Sequence, residues 1–335
     1  MVIPVKTSSS GYNIILEKGA LSKVGEYLNL NRKVLIVTDS GVPEIYAKTV
    51  CDASKEGYIF TFPEGEQSKN FDTFKEILES LVKNGFTRTD CVVAVGGGVA
   101  GDMAGFAAAC FMRGIDFYNI PTTVLSQVDS SIGGKTAIDF CSVKNIVGAF
   151  YPPKCVIIDT DTLKTLPKRQ ISNGLAESVK MALTFDSELF SLFEDGITEE
   201  DLDTVIERSL YIKKRVVEED EKESGLRKTL NFGHTVGHAI EVNSPNLYHG
   251  ECVALGMLPM CSEEVRKRLL KVLDSLSLPI SHNVSAEKII DAMSHDKKKS
   301  GDSITAVRVE RIGSFTLSEI SFEELKEEIG KAEKL

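Results

Sequence analysis

What this chain lacks narrows the field first. No apolar run approaches the roughly 18 residues that cross a bilayer. The densest, GFAAACFM from Gly105 to Met112, is stopped by Arg113, so no membrane span and no membrane partner is expected. The N-terminal MVIPVKTSSSGYNIILEKG has no basic flank followed by an apolar core and does not read as a signal peptide. Positive charge is short: 39 lysines and arginines against 49 acids leave a net −10. That balance argues against a nucleic-acid partner, because phosphate backbones are held by summed positive potential. Any anionic substrate must then be met by a local cluster of cations. The seven cysteines are odd in number and include no CxxC pair, so a reducing, cytoplasmic setting with buried thiols is expected. Cys91, Cys110, Cys155 and Cys252 lie in apolar runs that suit core packing.

What is there has an α/β texture. KVLIVTD (Lys33 to Asp39), GYIFTF (Gly57 to Phe62), CVVAV, FYNIP and CVIID (Cys155 to Asp159) read as strands alternating with helices, the signature of a mostly parallel, doubly wound sheet. Phe71, Phe74, Ile77, Leu78 and Leu81 recur at helical spacing before Gly85. Beyond LKTLPKRQ strand signals thin out, and amphipathic segments dominate at Leu189 to Asp195, Leu202 to Val217 and Val253 to Leu276. A short β-like close follows at ITAVRVERIGSFTL, then an amphipathic tail after Phe322. A boundary near residue 167 is expected, with an α/β domain over 1–167 and a mainly helical domain over 168–335.

Cys91 to Thr136 is the densest stretch for chemistry. Gly96, Gly98 and Gly101 fit G-x-G-x-x-G between a strand and a helix, where backbone amides at a helix N-terminus suit an anion. By the pattern this is the third strand of the sheet, and no acid ends a strand about 20 positions later, so a tight turn without a ligand stays open. Asp102, PTT (Pro121 to Thr123) and DSSIGGKT (Asp129 to Thr136) add hydroxyls, acids and Lys135 at strand ends, where open α/β sheets bind ligands. Asp39 suits a ribose or a helix N-cap equally, and PEGEQSKN (Pro63 to Asn70), a polar loop at a strand end, reads as solvated charge ahead of a site.

Histidine is scarce, five in all, yet His234, His238 and His249 fall together. Three so close point to a metal or to acid/base work. Helical spacing pairs His234 with His238 on the metal, with Glu177 or Glu241 as the carboxylate third. Lys180 shares a helical face with Glu177, as a surface ion pair would. Arg113, Lys135, Lys144, Lys180, Lys213, Arg227 and Lys297 to Lys299 are the cations in otherwise structured stretches.

In order, GGGVAGDMAGFAA, MRG, PTTVLSQVDSSIGGKT, KNIVGAF, LPKRQISNGLAESVK, GLRKTLNFGHTVGHAIE, HGECVALGM and DKK make the chain similar to the 3-dehydroquinate synthase family, sugar phosphate cyclases of the shikimate pathway. The likeness runs over roughly residues 33 to 313. It implies a Rossmann-like NAD domain, a helical domain with a divalent metal, zinc or else cobalt, and a homodimer. It also implies conversion of 3-deoxy-D-arabino-heptulosonate 7-phosphate to 3-dehydroquinate and phosphate, by oxidation, elimination, re-reduction, ring opening and aldol closure with no net use of NAD.

Carried to this sequence, the resemblance places Glu177, His234 and His249 on the metal and leaves His238 for the substrate, unlike the pairing that spacing suggests. NAD falls to Asp39, Glu66, Lys69, Gly97, Gly98, Val99, Asp102, Thr122, Thr123, Lys135, Lys144, Thr162, Thr165 and Leu166. Substrate falls to Lys135, Asn145, Lys180, Lys213, Arg227, Asn231, His238 and Lys297 or Lys298, with Asp129 on hydroxyls and Arg113 reaching a neighbouring subunit. Val143 stands where a glycine is common and Gln170 where a glutamate is common; altered loop shape, not lost activity, is expected of them. The competing readings are a cyclase acting on sedoheptulose 7-phosphate or glucose 6-phosphate, a metal-dependent polyol dehydrogenase that would accumulate NADH, and a non-catalytic nucleotide-binding protein.

Overall fold

The computed structural model describes residues 1–7, 11–141, 143–296 and 303–332. The chain divides into two compact units, Met1–Pro167 and Lys168–Leu335.

The strands of the first unit are β1 (Val2–Lys6), β2 (Gly11–Leu16), β3 (Lys33–Asp39), β4 (Glu56–Phe62), β5 (Cys91–Gly96), β6 (Asp116–Pro121), β7 (Lys135–Phe140), β8 (Val143–Phe150) and β9 (Cys155–Ile158). Its helices are α1 (Val24–Tyr27), α2 (Glu44–Asp52), α3 (Phe71–Lys83) and α4 (Gly98–Cys110). Seven strands form one sheet in the order β1-β2-β9-β6-β5-β3-β4, parallel except for the β1–β2 pair. The N-terminal hairpin therefore precedes the strands legible from sequence, and the glycine-rich strand is fifth in the chain, not third.

Alternate residues of β3 point to opposite cores: Leu35 and Val37 pack under α3 and α4, while Val34 and Ile36 pack under α1 and α2. Burial on both faces is why these strands read as unbroken apolar runs. Chain order reverses between β3 and β5, so their carboxyl ends flank the switch point where doubly wound sheets open a crevice. The β7–β8 hairpin forms a separate two-stranded sheet. Cys110, expected in the core, is exposed because it ends α4; Cys91, Cys155 and Cys252 are buried, and none of the seven cysteines is in a disulfide.

The second unit holds α5 (Lys168–Phe185), α6 (Ser187–Asp195), α7 (Leu202–Glu219), α8 (His234–Asn243), α9 (His249–Met257), α10 (Glu263–Ser275), α11 (Ala286–Asp296) and α12 (Phe322–Ala332), with the hairpin β10 (Ser303–Arg308) and β11 (Thr316–Ser321). Every residue of α5 from Asn173 to Thr184 is buried, so this helix is central to the unit. The expected helix from Val253 to Leu276 is in fact two. Pro259 sits in a 3-10 turn after α9, Cys261 bridges Val309 in extended form, and the Ser262 side chain caps α10. Met260 accepts from the Val309 amide at 3.0 Å, and Val309 accepts from the Ser262 amide at 3.0 Å.

Candidate active site

In the first unit the turn from β5 into α4 presents Gly97, Gly98 and Val99 half-buried at the helix N-terminus, with Gly97 as N-cap and no side-chain cap. The Gly96 carbonyl accepts from the Thr122 amide at 2.9 Å, which sets PTT beside the glycines. Gln127, fully buried, extends that tie: its Nε2 donates to the Pro121 and Asp159 carbonyls at 3.1 Å and to Thr162 Oγ1 at 3.2 Å. Thr165 shares a hydrogen bond with the Tyr46 hydroxyl, and the Leu166 amide donates to Leu163. Asp39 closes a local turn by accepting from the Gly41 amide at 2.9 Å; the N-cap of α2 is Pro43. Burial pushes the Asp39 carboxyl upward against the backbone hydrogen bonds it accepts.

Lys69 leaves its loop and enters the protein. Its Nζ is 2.6 Å from Asp102 Oδ2 and 3.7 Å from Glu66, and it donates to Asn145 Oδ1. Burial still holds the Asp102 carboxyl up at about 6 despite that neighbour. Asn145 has φ 54, and its amide is anchored by Asp139 Oδ1 at 2.8 Å. Glu64 and Glu66 are exposed, whereas Lys69 is buried and so is not solvated charge. Lys135 heads β7 and Lys144 lies on β8, both exposed; Asp129 is half-buried in the π-helical turn Ser126–Ser130. Arg113 is exposed with φ 67.

In the second unit α5, α8 and α9 converge on the histidines. Helices α8 and α9 meet closely enough that a Cβ on Gly256 would fall 2.0 Å from the Gly233 carbonyl. That approach brings ligand atoms of His234, His238 and His249 within 4.8 Å of one another. Glu177 on α5 faces them, with Oε1 3.6 Å from Nε2 of both His234 and His249. Lys180 is ion-paired with Glu177 Oε2, and both side chains are buried, not on the surface as their spacing alone suggested. His249 Nδ1 lies 3.4 Å from Glu241 Oε2. Both carboxylates named as possible third partners thus border the cluster.

The electrostatics suit a cation. Burial opposes ionisation of Glu177, but Lys180 and then the histidines hold its carboxyl well below the usual range. Burial and the Lys180 charge keep His234 far below the usual imidazole value, hence neutral. Against burial, Glu177 and Glu241 raise His249 to about 9. Among the described residues neither oxygen of Glu177 has a hydrogen bond of good geometry, although both are buried. Lys180 answers Oε2 by charge, and a divalent ion beside the imidazoles would answer Oε1. The donor set of imidazole nitrogens and one carboxylate suits zinc or cobalt.

Lys180, Lys213 and Arg227 are buried cations on α5, on α7 and in the turn Leu226–Asn231. Asp220 accepts from the Ser224, Gly225 and Arg227 amides at 2.9, 2.7 and 3.0 Å and so shapes the approach to Arg227. Asn231 is exposed and donates to Glu223 at 2.6 Å; His238 is the exposed member of the histidine group. Lys297 and Lys298 lie outside the described residues. Gln127, Asp220 and the α5 residues Arg169 and Asn173 were not singled out from sequence, although the last two lie in LPKRQISNGLAESVK at steps of four leading to Glu177.

The doubly wound sheet followed by a helical unit with a histidine–carboxylate cluster is an architecture that the chain shares with the sugar phosphate cyclase superfamily. Two of its solved members superpose over nearly the whole chain. One, 2-deoxy-scyllo-inosose synthase complexed with carbaglucose-6-phosphate, NAD+ and Co2+, is 27% identical with TM-score 0.89, covering 99% of this chain and 100% of that one. The other, 2-epi-5-epi-valiolone synthase from Streptomyces hygroscopicus subsp. jinggangensis with NAD+ and Zn2+ bound, is 26% identical with TM-score 0.89 and 98% coverage of each.

The family models for 3-dehydroquinate synthase match more specifically, the N-terminal one over residues 59–173 and the C-terminal one over residues 174–299. The 3-dehydroquinate synthase of Streptococcus thermophilus is 41% identical over 355 residues, covering 99% of this chain and 100% of that protein. This chain belongs to the 3-dehydroquinate synthase family, enzymes of the shikimate pathway.

Proposed function

We propose that the chain converts 3-deoxy-D-arabino-heptulosonate 7-phosphate into 3-dehydroquinate and phosphate, with NAD and a divalent cation, zinc or else cobalt. One observation carries the reading of the site: three imidazoles gathered within 4.8 Å beside the buried Glu177 carboxylate, whose Oε1 faces His234 and His249 while Lys180 pairs with Oε2. Glu177, His234 and His249 would hold the cation and His238 would meet substrate. Asp39, Glu66, Lys69, Gly97 to Val99, Asp102, Thr122, Thr123, Lys135, Lys144, Thr162, Thr165 and Leu166 would hold NAD. When bound, NAD supplies a reversible hydride acceptor and the cation supplies Lewis acidity toward substrate oxygens.

The chain's own residues do the remainder. Lys180, Lys213 and Arg227, buried in a protein of net charge −10, offer fixed positive charge to phosphate and carboxylate, where low dielectric makes it effective. As the C–O bond to phosphate breaks, that charge stabilises the departing anion. Lys135, Asn145, Asn231, His238 and Lys297 or Lys298 complete the substrate contacts we assign, and Asp129 accepts from hydroxyls. The first unit is assigned to NAD and also supplies Lys135, Asn145 and Asp129 to the substrate, and the second is assigned to the metal and the remaining substrate contacts.

A homodimer with Arg113 reaching the second copy fits the exposed apolar residues of the first unit, Met112 beside Arg113 and Phe140, Ile146 and Phe150 on the β7–β8 hairpin. Seven cysteines with no disulfide among them suit the cytoplasm. Purified protein given NAD, zinc and the heptulosonate phosphate should release phosphate without net NADH and stop on chelation. Steady NADH build-up, or release from sedoheptulose 7-phosphate or glucose 6-phosphate instead, would overturn the reading.

A further inference from the structure

Helix α5 carries Arg169, Asn173 and Glu177 at intervals of four, which puts them along one face. Only Glu177 reaches the histidine cluster. The other two meet the segment that delivers His249. Arg169 binds Glu251 in a two-armed pair, Nε to Oε1 at 2.7 Å and Nη2 to Oε2 at 2.8 Å, and Nη2 also donates to the Asn246 carbonyl at 2.7 Å. Its guanidinium lies 4.2 Å over the Tyr248 ring. Glu251, buried, also accepts from the Tyr248 amide at 2.8 Å, and Asn173 Oδ1 accepts from the Gly250 amide at 2.7 Å. There is no slack at that point, since a Cβ on Gly250 would lie 1.9 Å from the Asn173 carbonyl oxygen.

Residues 246, 248, 250 and 251 are thus each held from α5, and His249 is the residue between them. We propose that Arg169, Asn173 and Glu251 form a clamp that fixes the first turn of α9 so that the His249 imidazole is delivered at a set distance from Glu177. One helix then supplies a ligand and also sets the position of its partner ligand. Outer groups that orient ligands in this way set metal affinity, because an imidazole free to swing must be ordered when the ion arrives. Arg169 is the positioning member with most leverage: it alone joins the turn after α8, the Tyr248 ring and the buried Glu251 carboxylate, and planar two-armed pairing is something lysine cannot reproduce.

The clamp rests on the metal reading given above, and the test separates the two. Metal-stripped protein is titrated with zinc against a chromogenic chelator, for the unaltered chain, Arg169→Gln, Arg169→Lys, Glu251→Gln and His249→Ala, at a temperature where circular dichroism shows each folded. Arg169→Gln is expected to weaken zinc binding by about 10- to 100-fold, with Arg169→Lys and Glu251→Gln intermediate and His249→Ala lacking the site. A merely structural arginine would lower the melting temperature and leave zinc affinity within about twofold of the unaltered chain; that result overturns the clamp alone. Should the unaltered chain take up no stoichiometric zinc, the metal reading fails and the clamp with it. Asn173→Asp, which keeps an acceptor for the Gly250 amide, is expected to bind zinc nearly as the unaltered chain does. A loss in Asn173→Asp as large as in Arg169→Gln would overturn the role given to that hydrogen bond.

Discussion

Glu177 and Lys180, one helical turn apart on α5, form an ion pair sealed from solvent, while the other oxygen of the same carboxylate faces His234 and His249 at 3.6 Å. Removing the carboxylate strands a buried ammonium. Glu177→Ala is expected to lose zinc binding and to cost about 3–5 kcal/mol of stability, the usual penalty for breaking a buried pair. Zinc titration and urea denaturation on the same sample check both halves; unchanged stability would show that Lys180 finds another partner.

Lys69 offers a parallel case in the first unit. Lys69→Met leaves the half-buried Asp102 without its cation, and a loss of about 1.5–3 kcal/mol is expected. Adding Asp102→Leu should recover most of that stability, because an apolar pair fills the space without a desolvated charge. NAD affinity, measured by calorimetry, should stay low in the double variant. Recovery of NAD binding along with stability would remove both residues from the cofactor site.

Acid stability should depend on Asp220. Although burial opposes its charge, the amides of Gly225, Ser224 and Arg227 bring the carboxyl to about 2, below its unfolded value of about 3.9. A depressed folded-state value means stabilisation fully present above the unfolded value and lost as pH falls through the folded one. Asp220→Asn is therefore expected to flatten the part of the stability profile between about pH 4 and pH 2. Denaturant midpoints across that range are the measurement.

Gly250→Ala should act through packing alone. Its new methyl must displace the Asn173 carbonyl or move the start of α9, at an expected cost of about 1–3 kcal/mol. Differential scanning fluorimetry reads the cost, and zinc titration reads whether His249 moved.

Much of this is legible in the sequence alone. The strands that end in Asp39, Gly96 and Pro121 announce themselves because both faces are buried, and His234, His238 and His249 stand out because histidine is rare elsewhere. What escaped was set by partners distant in sequence. Lys69 reads as loop charge until Asp102 and Asn145 arrive beside it. The Glu177–Lys180 pair reads as a surface bridge because spacing on a helix says nothing about which helices surround it. The break at Pro259 was hidden by apolar periodicity on either side, and Arg169 and Glu251 look like ordinary charges until α9 is laid against α5.

That break carries a consequence in time. The end of α9 is closed by main-chain bonds between Met260, Ser262 and Val309, partners about 50 residues apart, so their loop-closure entropy must be met before the bonds reward it. A growing chain has already made all three histidines when this tie is still unborn. The tie that closes the end of α9 can therefore form only once Val309 has been made, and pulse-labelled hydrogen exchange at the Val309 amide should register it as a late event in refolding.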